Sequence, residues 1–379
     1  MMRKLNFIFL LLIMAQAVLW GEVWEPFGLE GRWVKDLAIN PRDTRIMYAI
    51  PGLEPWGKDL LKTTDGGKTW HSILGNIRTP SCIAIDPVNP KNVYVGGEKV
   101  VGRSKWGEIT NGAVFKSKNG GEKWNEGKVL IPDPGVRVLQ IVVHPADPEV
   151  LYLVRRRLNC GLHRSVDGGE SWGMCSRQVN EVGGLFIEID PRDPDVLYAW
   201  GTACWAFKLG KSDNGGGSFI ELNLPGNPDV VDSLALAPSR PDTLYVKAIW
   251  YPWNTKDRKE KTHLFRSDDG GLTWEVLPDR PEFLERGNLK VNPKDPNLIY
   301  HQTHSGVSVS VDGGKSWQPL SKGLEGVRIN KLIFDPRNPM ILYACTNNGI
   351  YRTISSLDIS PGRMKPTLWG YIRIQGALR

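Results

Sequence analysis

The 379 residues carry 48 Lys and Arg against 41 Asp and Glu, a net charge of +7, with 41% hydrophobic and 23% charged residues. That balance excludes a disordered polyelectrolyte, and no nucleic-acid-binding motif accompanies the modest positive charge, so an anionic glycan or cell-surface polymer is the more fitting charged partner. The 41 glycines and 27 prolines recur at intervals, which is turn chemistry and not low complexity.

The chain starts with Arg3 and Lys4 ahead of a mostly apolar stretch at 5–14, and Ala15-Gln16-Ala17 or the stretch ending at Gly21 offers a cleavage site. Residues 1–21 are therefore expected to be a signal peptide, with an uncleaved anchor as the alternative. The apolar run is short for a membrane span. The expected product is secreted or periplasmic and, after cleavage, not an integral membrane protein.

From residue 37 onward one element is written seven times: an apolar strand, a Pro-rich turn, and an apolar pair ending in Tyr. The copies lie at 37–48, 83–94, 141–152, 187–198, 234–245, 289–300 and 332–343, for example IAIDPVNPKNVY and IEIDPRDPDVLY. Proline cannot donate to a sheet ladder, so the first Pro ends one strand and the Asp or Asn and second Pro shape the turn into the next. Between the copies runs a second phrase, Ser/Thr-x-Asp/Asn-Gly-Gly-x-(Thr/Ser/Lys)-aromatic, at 63–70, 117–124, 165–172, 212–219, 267–274 and 310–317. The Asp or Asn accepts from nearby backbone N–H groups while glycine supplies positive φ, and the ring anchors the return strand by burial.

The tyrosines recur at steps of 43–58 residues, a period that with four short strands per unit predicts propeller blades. The seventh unit has no turn phrase after Thr353, but residues 24–41 match residues 317–336 apart from two extra residues. Trp24 thus stands where Trp317 stands, and the N-terminal strand is expected to complete the last blade by pairing within 343–354. The expected fold is all-β: a single seven-bladed propeller of four-stranded blades over 22–354, followed by a C-terminal tail at 355–379.

Five cysteines lack metal-finger spacing. In an oxidising compartment a bond from Cys175 to either Cys160 or Cys204 is expected, the alternative being five reduced thiols. His301 and His304 have no third ligand in view, so no metal site and no cofactor is expected.

The six phrases resemble the Asp-box, or BNR repeat, in its S-x-D-x-G-x-T-W form. The resemblance covers about residues 24–354 and implies the Asp-box propeller group, which includes sialidases, xyloglucan-degrading glycoside hydrolases, sortilin-type receptor domains and photosystem II assembly factors. It implies that Asp65, Asn119, Asp167, Asn214, Asp269 and Asp312 are structural turn residues on the periphery, and that function lies on the opposite loops. This chain departs from the enzyme subgroups: no Arg-Ile-Pro stands near the first blade. Xyloglucan hydrolases usually have two propellers and an Asp-x-Gly-Gly-Ala-Tyr context, where this chain reads IPGLEPWGKDLLKT at 50–63. Sortilin domains are larger.

The loops after each second strand are expected at 51–59, 97–113, 155–161, 201–207, 249–263, 302–306 and 346–348, with 97–113 and 249–263 the longest. Trp56, Trp106, Trp205 and Trp253 suit stacking on sugar rings or gripping a peptide. Arg155 and Arg157 would share one surface of a strand, and their planar forks suit anionic groups. Hydrolysis of a glycosidic bond normally needs two carboxylates across it. Asp59, Glu98, Glu108, Asp232, Asp257 and Glu260 fall on or near this face, none singled out by context. The resulting expectation is a noncatalytic propeller binding a glycan or an extracellular or periplasmic protein. The alternative is a glycoside hydrolase or lyase, with Asp59 and Asp257 as the first carboxylates to test.

Overall fold

The computed structural model describes residues 23–52, 59–105, 107–134, 136–156, 161–175, 185–201, 208–251, 259–278 and 285–354. After β1 (Val23–Gly28), blade 1 holds β2 (Val34–Ile39), β3 (Met47–Pro51), β4 (Leu61–Thr63) and β5 (His71–Ser72). Blade 2 holds β6 (Arg78–Ile85), β7 (Val93–Ser104), β8 (Gly107–Ser117) and β9 (Lys128–Pro134), and blade 3 holds β10 (Arg137–Val143), β11 (Leu151–Arg156), β12 (Gly161–Ser165) and β13 (Gly173–Met174). Blade 4 holds β14 (Leu185–Ile189), β15 (Leu197–Gly201), β16 (Leu209–Ser212) and β17 (Ile220–Glu221). Blade 5 holds β18 (Val230–Leu236), β19 (Leu244–Trp250), β20 (Lys261–Ser267) and β21 (Glu275–Val276), and blade 6 holds β22 (Gly287–Asn292), β23 (Asp295–Thr303), β24 (Val307–Ser310) and β25 (Gln318–Pro319). Blade 7 holds β26 (Ile329–Phe334), β27 (Leu342–Thr346) and β28 (Gly349–Ile354). Its fourth strand is β1, which pairs antiparallel with β28 through Val23 and Ile354, Trp24 and Thr353. The ring closes as the sequence predicts.

The core lies between blades. Seven apolar clusters fill the seven seams, and each draws on two adjacent sheets. At the seam of blades 1 and 2, for example, Tyr48, Ile50 and Leu60 pack on Ile83, Val93, Val95 and Phe115. The recurring Tyr is a strut across such a seam: Tyr48 OH donates to Gly120 O at 3.0 Å, Tyr94 OH to Gly168 O at 2.9 Å and Tyr152 OH to Pro194 O at 2.8 Å. Buried hydroxyls need such partners, which is why the position is Tyr and not Phe. Cations lie over the rings, with Lys62 Nζ 5.8 Å from the Tyr48 centroid and Arg266 5.6 Å from that of Tyr245.

Inner strands are linked by side chains where no ladder exists. Ile83 N donates to Asp36 Oδ2 at 3.2 Å, Ile187 N to Gln140 Oε1 at 3.3 Å and Leu289 N to the Ser233 hydroxyl at 2.9 Å. Each satisfies a backbone N–H that the blade geometry leaves unpaired.

The turn phrases fold alike. Thr63 Oγ1 donates to Asp65 Oδ1 at 2.7 Å, Gly67 N donates to Thr63 Oγ1 at 3.0 Å, and Thr69 N donates to Asp65 Oδ1 at 3.0 Å. Asn119 reproduces this with its single oxygen, accepting from Ser117 Oγ and Lys123 N, both at 2.9 Å. Gly67 has φ +85°, and a Cβ there would stand 2.6 Å from Phe27, so both backbone and space demand glycine.

One expected loop is largely strand, and a second is strand at its two ends. Within 97–113 the β7–β8 ladder continues to Ser104 opposite Gly107, forming a two-stranded arm. Within 249–263 the β19–β20 ladder continues to Trp250 opposite Lys261. Lengthening a hairpin keeps its backbone groups paired, which an irregular loop of that length would not.

Candidate active site on the loop face

The connections from each blade's outer strand into the next inner strand share a face with the loops after second strands. On this face blades 5 and 6 meet at a buried cation. Lys247, in the apolar strand β19, has no exposed side-chain surface. Its ammonium donates to Glu285 O at 2.5 Å and lies 3.2 Å from Asp232 Oδ2. His301 Nε2 is 3.4 Å away. Burial lowers the Lys247 pKa, and the Asp232 carboxylate opposes that drop. Burial and the neighbouring Lys247 push His301 down to about 3, so its ring is neutral at ordinary pH and accepts.

Asp232 sits where β18 departs from its register with β19, between Val231 and Ser233. Such a bulge re-aims one side chain. The carboxylate also accepts from Gly287 N at 3.3 Å and has Arg286 Nη1 at 3.9 Å from its second oxygen. Arg286 donates to Tyr251 OH at 3.2 Å and lies 5.9 Å from the centre of that ring. The charge of Glu260 reaches Arg286 as well. Glu285 accepts from Ser305 N at 3.2 Å and Ser305 Oγ at 2.5 Å. Burial opposes its ionisation, but the hydrogen bonds from Ser305 and Thr303 outweigh burial and hold the carboxyl below its ordinary range.

The arc continues into blades 7 and 1. Arg328 faces His304, with Nη2 at 3.3 Å from Nε2, and its guanidinium lies 5.8 Å from the Trp33 ring. Asn330 Nδ2 ties the same seam by donating to Val34 O at 2.9 Å. The result is a run of carboxylates, cations and aromatic faces: Tyr251, Arg286, Asp232, Glu285, Arg328 and Trp33. Aromatic surface suits sugar rings, and a carboxylate fixed in place by its neighbours suits a developing positive charge.

The residues expected from sequence fare differently. Asp59 is a local cap: its Oδ1 accepts from Leu60 N at 2.9 Å and Ser72 Oγ at 2.5 Å, within blade 1. Arg155 is buried, 3% exposed, near the end of β11 beside His163, and so offers no open surface itself. Burial and then Arg155 push His163 down to about 4. Glu98 and Glu108 are engaged on the blade 2 arm, Glu98 by Thr110 at 3.0 Å and Glu108 by Arg78 at 3.3 Å. Cys175 carries a free thiol, pushed up to about 12 by burial, and both of its expected disulfide partners, Cys160 and Cys204, lie outside the described residues. The Cys175 side chain packs into the seam towards Gly216 of blade 4. Trp56, Trp106, Trp205, Trp253, Arg157, Asp257, Cys160 and Cys204 lie outside the described residues. The Lys247 site escaped sequence reading, although one signal for it exists: a single lysine within LYVKAIW at 244–250.

Fold and loop face together define a seven-bladed β-propeller with a polar, aromatic-lined arc at the seams of blades 5, 6, 7 and 1. Among proteins of known activity, xyloglucanase Xgh74A of Acetivibrio thermocellus is 27% identical over 275 residues, 68% of this chain and 27% of that protein. A xyloglucanase of Hypocrea jecorina is 21% identical over 303 residues, 67% of this chain and 33% of that one. The chain thus spans about a quarter to a third of these relatives' length. Among solved structures, a GH74 enzyme of Niastella koreensis superposes with a TM-score of 0.61 at 19% identity, over 89% of this chain and 54% of that one. YCF48 from Cyanidioschyzon merolae gives 0.57 at 12% identity, over 89% of this chain and all of that one. No family model matches the sequence. The expectation of a noncatalytic binder is overturned by these relatives, whose names are those of enzymes.

Proposed function

We propose that this chain is a glycoside hydrolase of the Asp-box propeller group, acting on a β-glucan-backbone polysaccharide of the xyloglucan type, and that it is exported by its N-terminal signal. The observation that carries the reading is Asp232, a carboxylate fixed between a buried ammonium and a guanidinium on the face that an extended glycan could cross. The similarity to named xyloglucanases supports the substrate class. Asp232 is the carboxylate that stabilises the oxocarbenium-like transition state. Glu260, which reaches the same arginine from the rim, is the proton donor to the leaving oxygen. Tyr251 and Trp33 supply faces for neighbouring sugar rings, and Arg286 and Arg328 fix ring hydroxyls by hydrogen bonds.

The test is release of new reducing ends from xyloglucan by the full chain. D232N is expected to lower turnover at least roughly a thousandfold. E260Q is expected to lose turnover on xyloglucan and to recover much of it on an aryl glycoside, whose leaving group needs no proton. Turnover left intact in both variants would remove this pair from the reaction, and no activity of the parent chain across a β-glucan panel would remove the hydrolase reading itself.

A further inference from the structure

The turn phrase of blade 2, SKNGGEKW at 117–124, departs from the other five at two linked positions. In those five the Asp or Asn meets a hydroxyl four residues on: Thr69 Oγ1 donates to Asp65 Oδ2 at 2.6 Å, Thr273 Oγ1 to Asp269 Oδ2 at 2.5 Å and Asn214 Nδ2 to Ser218 Oγ at 2.8 Å, with blades 3 and 6 alike. In blade 2 the carboxylate is replaced by Asn119 and the hydroxyl by Lys123. Asn119 Oδ1 keeps its bonds from Ser117 Oγ and Lys123 N, which leaves Nδ2 as a donor. Among the described residues neither that amide nor Lys123 Nζ meets an acceptor. The double exchange turns a self-satisfied turn into a set of donors.

The fold gathers further donors around them. Asn119 and Lys123 line a hollow of about 340 Å³ at the rim of blades 2 and 3, together with Lys116, Lys118, Trp124, Asn125 and Glu170. Small-ligand sites begin at roughly 300 Å³. Asn125 Oδ1 accepts from Lys116 N at 3.0 Å and Gly127 N at 3.1 Å, so its Nδ2 is left to donate as well. Glu170 is the one carboxylate lining the hollow, and Lys116 and Lys118 share its Oε1, each at 3.0 Å. Those bonds hold Glu170 below its ordinary range. Three ammonium groups against one carboxylate leave an excess of positive charge. Trp124 is fixed by its Nε1, which donates to Ile73 O at 2.8 Å, and it also lines a second hollow of about 550 Å³ with Ser72, Asn76 and Glu122. Amide and ammonium donors beside an indole suit carboxylates carried on sugar rings. We propose that this rim binds an acidic glycan, a uronate-bearing chain whose carboxylate lies among Lys118, Lys123 and the Asn119 amide and whose next residue passes Trp124 into the second hollow. Turn phrases follow third strands and the Asp232 arc takes its loops after second strands, so the two sites lie on opposite faces of the ring.

An oligogalacturonide titrated calorimetrically into the full chain at fixed ionic strength is the test. Its methyl ester keeps the rings without the charge, and polyglutamate of equal carboxylate count keeps the charge without the rings. Saturable binding of the oligogalacturonide is expected, tighter than that of either control. N119D combined with K123T restores the Asp and Thr of blade 1, so this variant should melt at or above the parent while losing at least about tenfold in affinity, the effect of one charge-assisted hydrogen bond. The site is overturned if the oligogalacturonide does not bind, if the ester or polyglutamate binds as tightly, or if the double variant binds like the parent. D232N is expected to retain the binding whatever it does to turnover, so the failure of this site and of the hydrolase reading show in different experiments.

Discussion

Asp312 gathers three donors: Ser310 Oγ at 2.9 Å, Ser316 N at 2.8 Å and Ser316 Oγ at 2.5 Å. Burial alone would raise its pKa, yet the hydrogen bonds from Ser316 and Ser310 prevail and hold the carboxyl below its ordinary value. The folded state therefore favours the ionised form. Its contribution is present above the unfolded carboxyl's titration near pH 4 and is lost as pH falls through the lower folded value. D312A is expected to cost about 1–3 kcal/mol at pH 7, measured by urea unfolding, because a part-buried network loses its common acceptor. D312N should cost less and flatten the acid limb of the stability curve, since Asn119 and Asn214 already fill this role with an amide oxygen. An alanine variant that unfolds like the parent would reduce these turns to decoration.

Among the elements, β1 matters most because it repairs a defect. Without it β28 would expose an unpaired edge. Trp24 is 2% exposed, packs with Leu320, Leu324 and Tyr351, and donates through Nε1 to Leu320 O at 2.7 Å. W24A is expected to lower stability by about 3–5 kcal/mol, as for other buried aromatic truncations. This strand was legible because WEPFGLEG and WQPLSKGLEG share a pattern. Repeats expose structure by comparison within one chain, so the strands, the turns and the closure could be read. The candidate site could not, because it breaks the repeat. Asp232 aligns with Lys35 and Asn330, positions where side chain varies from blade to blade, and Lys247 gains its meaning only from Glu285 and His301 in the next blade. Periodicity locates the positions but is silent about which groups converge on them. The same limit explains Arg155, whose place in a run of three arginines suggested exposure while β11 carries it inward.

At the scale of the whole molecule, stability is cooperative around a circle. Each seam uses two blades, so opening one seam leaves two apolar faces without partners, unlike a linear array that frays from its ends. Deleting residues 22–30 is expected to lower the melting temperature sharply and to strip amide-exchange protection from β28 before any other inner or middle strand. An unchanged melt, or loss of protection starting in blade 3 or 4, would mean that closure contributes little.

The same closure sets a clock for biosynthesis. Trp24 leaves the ribosome 296 residues ahead of Leu320, the carbonyl it finally meets. At ordinary elongation rates of roughly 5–20 residues per second, that is a wait of about 15–60 s. Throughout it the nascent chain carries the fourth strand of a sheet that does not yet exist. A neighbouring chain further along in synthesis offers the identical edge, so strand-exchanged dimers are the characteristic misassembly of this ring, and crowded expression should favour them.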